Sequence, residues 1–204
     1  MLQNIRIIFF LAIYTSLIAT ELHAQSATRE GEQYEILNLV IRKHGVKDLY
    51  VGVANGNLIT YTDTLHRFHG WQLDSEIVIT KVQQQDFIDQ LMRSKIRFWD
   101  PQKTEANPEK ENISQVVSAA LANNWELPDK YSKFQNKKAD VYQASIPVFT
   151  IDRQTAYMSL SDFTAEFKNN KLESWGDGKA GIYVLQKKDG KWSIENYIIV
   201  MGGH

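Results

Sequence analysis

The sequence predicts an α+β fold, with helices packed on one face of an antiparallel meander sheet that fills the C-terminal half. Three observations lead there. Apolar residues recur at helical spacing in the first two-thirds of the chain. The last third is a run of β-formers cut by turn signals. Its final two runs flank Asp189-Gly190, a pair suited to a two-residue hairpin turn.

The elements follow in order. "MLQNIR" carries Arg6 and no acid, Ile7 to Ile18 is almost wholly apolar, and Ala24 offers a small residue before Gln25. This is the layout of a secretory signal peptide, 1–24. The apolar run has about a dozen residues, short of the roughly 20 that span a bilayer. Residues 25–204 then form a single domain, opened by a flexible polar leader, 25–33. Tyr34, Leu37, Val40, Ile41 and His44 share a helical stripe, and Gly45 stands where a helix-ending glycine belongs. "LYVGVANGNLITYTDTL" (49–65) reads as a hairpin turning at Asn55-Gly56, and Glu76 to Thr80 as a further strand. Phe87, Ile88, Leu91 and Met92 mark a helix.

Pro101 and Pro108 bracket a polar loop. Next, Ile113, Val116, Val117, Ala120 and Leu121 form the clearest helical stripe, with Asn112 and Gln115 placed for a capping box. Strands follow in "VYQASIPVFTID", "QTAYMSLSDF", "GIYVLQKK" and "KWSIENYIIV". In the last hairpin Lys188 should pair with Lys191, Lys187 with Trp192, Leu185 with Ile194 and Tyr183 with Asn196.

Composition narrows the function. The chain has 204 residues, 43% hydrophobic and 23% charged, so it can bury a core without a metal or disulfide. A net charge of −1 supplies no basic excess for a phosphate backbone, and nucleic acid is not an expected partner. There are no cysteines, which excludes disulfides, thiol catalysis and Cys-based zinc sites.

Gly176, Gly178 and Gly181 fit G-x-G-x-x-G, but "IYVLQ" after them is a strand where a dinucleotide site needs a helix N-terminus. They read as the flexible entry to the hairpin. His66 and His69, with Asp63 and Asp74 nearby, are the densest reactive group, yet Gly70 and the flanking β-formers place them in a loop or strand end. No HExxH or G-x-S-x-G occurs. Ser159 and Ser161 read as the wet face of a strand. Trp125, Tyr131 and Phe134 read most simply as core aromatics; the alternative is a glycan or peptide groove. Any ligand surface would draw on Trp125, Tyr131, Asp162 and Trp175.

The "IPVF" strand, the alternating strand after it, the Gly-containing loop and the closing "KKDGKWSI" hairpin together resemble a group of uncharacterised secreted proteins common in Bacteroidetes-type bacteria. The likeness spans residues 78 to 203 and implies a shared scaffold; the group has no established activity to carry over. Many members place a cysteine pair in the Gly-containing loop, where this chain has none. The terminal "DGKWSI" is also similar to the end of cone-shaped NTF2-like domains.

The expected protein is therefore an exported, periplasmic or secreted, non-catalytic binding or accessory module. It would need no cofactor and no metal, would bind a protein or small-molecule ligand, and would have no stable membrane insertion after signal cleavage. Two alternatives stand beside it. One is a small hydrolase or metal-dependent enzyme using the His66/His69 region with Asp63. The other is an NTF2-like pocket for a small apolar ligand.

Overall fold

The computed structural model describes residues 29–50, 52–59, 79–106, 113–176 and 178–201, without the side chains of 114, 174–176 and 201. The chain divides into a short unit, Met1–Glu35, and a main unit, Ile36–His204. Helix α1 runs over 29–44. It begins inside the segment expected to be a flexible leader: polarity there marks the solvent side of a helix, and Glu30 and Glu32 near its start favour the positive end of the helix dipole. It ends as expected. Gly45 takes φ 71°, and the Gly45 and Val46 amides both donate to the Ile41 carbonyl, at 2.9 and 3.0 Å.

The expected hairpin at Asn55-Gly56 is a short helix instead, α2, over 55–59. Asn55 reaches the connection between strands β1 (Lys138–Ala144) and β2 (Val148–Phe149), and Asn57 reaches strand β3 (Thr155–Lys168). Asn55 Oδ1 accepts from the Ile146 amide (3.1 Å), and Asn57 Nδ2 donates to Ser161 Oγ (3.2 Å). These tertiary bonds override the local turn preference. Helix α3 is Lys81–Arg93, started by a capping box in which Thr80 Oγ1 accepts from Gln83 N and Gln83 Oε1 accepts from Thr80 N. Thr80 is thus a helix cap and not a strand residue; most of the strand expected at 76–80 lies outside the described residues. Phe87 and Leu91 are buried, whereas Met92 is 73% exposed. Helix α4 is Ile113–Ala122; its expected cap, Asn112, lies outside the described residues.

A six-stranded antiparallel sheet fills the C-terminal half, as the α+β reading requires: β1 Lys138–Ala144, β2 Val148–Phe149, β3 Thr155–Lys168, β4 Lys171–Gly176, β5 Ala180–Lys188 and β6 Lys191–Met201. The long β3 is the spine. One of its edges pairs with β2 and β1, the other with β5 and β4. Each of those pairs of strands is one ladder interrupted once, so the sheet is at heart a four-stranded meander ending in β6. Glu166 lies on β3 and Glu173 on β4.

Alternation sorts the side chains. Val141, Phe163, Ala165 and Phe167 share one face and form a core with Ile113, Val116, Val117 and Ala120 of α4. Each such apolar side chain, taken fully out of water, contributes about 1.5–3 kcal/mol. Tyr142, Asp162, Tyr183 and Tyr197 lie on the opposite face, where His44 at the end of α1 meets the three tyrosine rings. The end of α1 thus meets the face opposite the one that packs α4. The strands themselves are apolar on both sides: Met158, Leu160, Ile182 and Leu185 are fully buried, as are Val141 and Phe167. Among the described residues no helix is long and apolar enough to cross a membrane.

Candidate functional site

The last hairpin shows how sequence sets local geometry. Asp189 (φ 51°) and Gly190 (φ 75°) form its turn, and Lys188–Lys191, Lys187–Trp192 and Leu185–Ile194 pair as expected. The Lys187 ammonium lies 5.4 Å from the centre of the Trp192 ring. Beyond Leu185 the register shifts at a β-bulge, so Tyr183 faces Tyr197 and not Asn196. The bulge has a consequence: Tyr183 and Tyr197 stack with ring centres 4.4 Å apart.

His44 closes this cluster. Its Nδ1 is hydrogen-bonded to the Tyr183 hydroxyl at 2.6 Å, and its ring meets Tyr142, Tyr183 and Tyr197 edge-on at 5.4, 6.2 and 5.9 Å. Burial lowers the His44 pKa, partly opposed by Asp162 and reinforced by Lys179. Burial raises the Tyr183 pKa, helped by Tyr197 and Tyr142; it also raises that of Tyr142, helped by Asp162 and Asp140. A protonated phenol beside a neutral imidazole assigns Tyr183 as donor to Nδ1, with the imidazole proton on Nε2. Tyr183 is thus held in its protonated, poorly nucleophilic form. The cluster is suited to clamping the end of α1 onto three strands.

Sequence reasoning placed His44 on the apolar stripe of α1 without assigning it a role. A titratable residue on such a stripe was the available signal; that tyrosines from β1, β5 and β6 converge on it was not visible.

The glycine motif has a structural explanation. A Cβ on Gly178 would lie 1.5 Å from the Asp162 carbonyl oxygen, and one on Gly181 would lie 2.4 Å from the Tyr197 ring and 2.6 Å from the Ile198 carbonyl oxygen. Gly178 is the break between β4 and β5, folded down on Asp162. There the Lys179 amide donates to Asp162 Oδ1, and the Asp162 amide donates to the Lys179 carbonyl at 2.9 Å. These glycines serve close backbone approach within a sheet.

The other expected site residues separate. His66, His69 and Asp63 lie outside the described residues, as does Asp74. Among the described residues no three His, Cys, Asp or Glu side chains are grouped to hold a metal ion. Asp162 lies beside the His44 cluster. Trp175 stands on β4 opposite Ala165. Tyr131 packs against the α4 core, edge-on to Phe134 at 6.2 Å, with the Lys130 ammonium 4.8 Å from its ring centre. Ser159 and Ser161 do not form a wet strand face. They are 1% and 9% exposed, because Asn57 of α2 comes down on that side of β3. The Ser159 Oγ is buried without a hydrogen-bond partner.

Trp125 differs from all of these. It is 45% exposed, the largest exposed side chain at the corner where α4 ends and β3 turns into β4. Its backbone is fixed. The Trp125 amide donates to the Ala120 carbonyl (2.8 Å), its carbonyl accepts from the Leu172 amide (2.8 Å), and Glu126 bridges to Lys171. In extended chain, residue 125 would share the side of buried Leu127. A φ of 69° at Trp125 breaks that alternation and leaves the indole outside.

No protein-family model, no curated protein and no solved structure matches the chain.

Proposed function

We propose that the chain is an exported, non-catalytic binding or accessory module that presents its ligand surface at the corner formed by the end of α4 and the β3–β4 turn. The observation that carries this reading is Trp125. A bulky residue held in left-handed backbone costs about 1–2 kcal/mol, and folding alone would favour Asn or Gly there. Here the strained residue carries an indole that the fold leaves 45% exposed. Export is supported by the charged, apolar and small-residue order of residues 1–24 and by the resemblance to secreted proteins.

Two measurements test it. Sequencing the N-terminus of protein recovered outside the cytoplasm should begin at Gln25, give or take a residue or two. A photo-crosslinking amino acid at Asn124 should give a discrete adduct in the producing cells, lost when Trp125→Asn is added. The same probe at Ile151, 85% exposed in the β2–β3 turn, should give none. Equal labelling at both positions, or none at either, sinks the assignment of the surface.

A further inference from the structure

We infer that Tyr183 is a redox-active tyrosine: it gives an electron to a strong one-electron oxidant, of the class of oxygen-centred radicals, while its phenol proton passes to His44. The inference stands apart from the Trp125 surface and concerns a cluster that the binding reading does not use.

A tyrosine yields an electron readily only if its proton can leave in the same event. Loss of the electron makes the phenol strongly acidic, and a base already in contact spares the reaction a high-energy radical cation. Tyr183 is 3% exposed, so bulk water is not that base. Its hydroxyl donates instead to His44 Nδ1 at 2.6 Å. A neutral imidazole has one ring nitrogen with a free lone pair, and Tyr183 occupies it. Tyr142 and Tyr197 meet the same ring edge-on and have no share in that lone pair.

The step balances within the pair and its oxidant. One electron goes to the oxidant. The Tyr183 O–H bond breaks, a bond from that proton to Nδ1 forms, and a neutral phenoxyl radical is left beside an imidazolium. Asp162 on β3 favours that imidazolium, whereas Lys179, just before β5, opposes it. With no cysteine in the chain, no thiol competes as the electron donor.

An oxidant cannot touch a ring so deeply buried, and a second ring offers the electron a way out. Tyr197 stacks on Tyr183 with centres 4.4 Å apart and planes at 29°, and it is half-buried where Tyr183 is buried. Two features of β5 build this stack. The register shift between Val184 and Leu185 sets Tyr183 opposite Tyr197. Gly181 leaves room for the outer ring, since a Cβ there would lie 2.4 Å from it.

The test is flash oxidation of the full exported chain by photogenerated tris(bipyridine)ruthenium(III). Transient absorption gives the rate, and electron paramagnetic resonance identifies the radical. The wild type should form a long-lived neutral phenoxyl, more slowly in D2O than in H2O because proton and electron move together. Tyr183→Phe keeps the ring and should lose this radical. His44→Gln should slow its formation about a hundredfold or more, since glutamine can accept the hydrogen bond but not the proton. Tyr197→Phe should slow it as well. Circular dichroism checks that each variant is folded; if His44→Gln is not, the solvent isotope effect in the wild type decides the same point. A phenoxyl undiminished in Tyr183→Phe, or a tryptophanyl radical as the lasting species, overturns the assignment to Tyr183. Equal rates in H2O and D2O, or an unchanged rate in folded His44→Gln, overturn the role of His44. An unchanged rate in Tyr197→Phe overturns the route through the stack.

Discussion

Gly178 lies so close over Asp162 that a β-carbon added to the glycine would sit 1.5 Å from the aspartate's carbonyl oxygen. The obstacle is backbone of the central strand, which cannot swing aside as a side-chain tip can. Gly178→Ala should therefore destabilise the fold by about 3 kcal/mol or more, read as a fall in the urea midpoint at constant slope. A change smaller than about 1 kcal/mol would mean that the β4–β5 break is loose. Gly45, with no atom within 4 Å of an added β-carbon, is the contrast: there alanine suffers only from the φ of 71°, at about 1 kcal/mol.

The buried serines should respond oppositely to the same substitution. Ser159 Oγ has no partner, so Ser159→Ala removes an unsatisfied group and should be neutral or stabilise by up to about 1 kcal/mol. Ser145 Oγ accepts from the buried Ser159 amide at 2.9 Å, so Ser145→Ala should cost about 1–2 kcal/mol. Thermal melts of the two variants decide this, and a large loss in Ser159→Ala would show that its hydroxyl is engaged.

His44 predicts a pH dependence with a defined sign. Burial holds its pKa below the ordinary 6.5, so as the pH falls through 6.5 the unfolded chain takes up this proton before the folded one does. The contribution to stability is full above pH 6.5, declines below it and levels off once the folded form also protonates. His44→Gln removes that dependence. The advantage of the wild type over His44→Gln, measured by urea unfolding, should be largest above neutrality and shrink toward pH 5; an advantage that grows on acidification would contradict a neutral His44.

Packing makes a simpler contrast. Phe167 is fully buried in the α4 core, and Phe167→Ala should cost about 3–5 kcal/mol. Met92, 73% exposed on α3, should accept serine within about 0.5 kcal/mol.

What could be read from the sequence follows from how local each cause is. The turn at Asp189-Gly190 depends on two residues and their φ angles, and its first pairings were legible. The bulge just beyond Leu185 moved Tyr183 to a partner that no local pattern indicates. Asn55-Gly56 carries the same kind of turn signal as Asp189-Gly190, yet it became a helix because Asn55 and Asn57 bond to groups about a hundred residues away in sequence, Ile146 and Ser161. The stripe of α4 was legible because one face of a helix buries one set of residues. Of the candidate ligand surface, Trp125 could be named as an aromatic of interest. Its exposure could not, because it rests on a backbone angle set by bonds to Ala120 and Leu172.

The spine strand β3 has a further consequence, for the order in which the chain can come apart. Its ladders run to β1 and β2 on one side and to β5 and β4 on the other, whereas β6 is held by the sheet along β5 alone. Peeling β6 away breaks a single hairpin; freeing the middle of β3 requires both flanks to open together. Amide protons around Met158–Phe163 should therefore be the slowest to exchange with deuterium, with rates that report global unfolding, while those of β6 exchange through partial opening. The same asymmetry places the early contacts of folding in the run of adjacent hairpins from β3 onward, with β1 and α4 joining a sheet already begun.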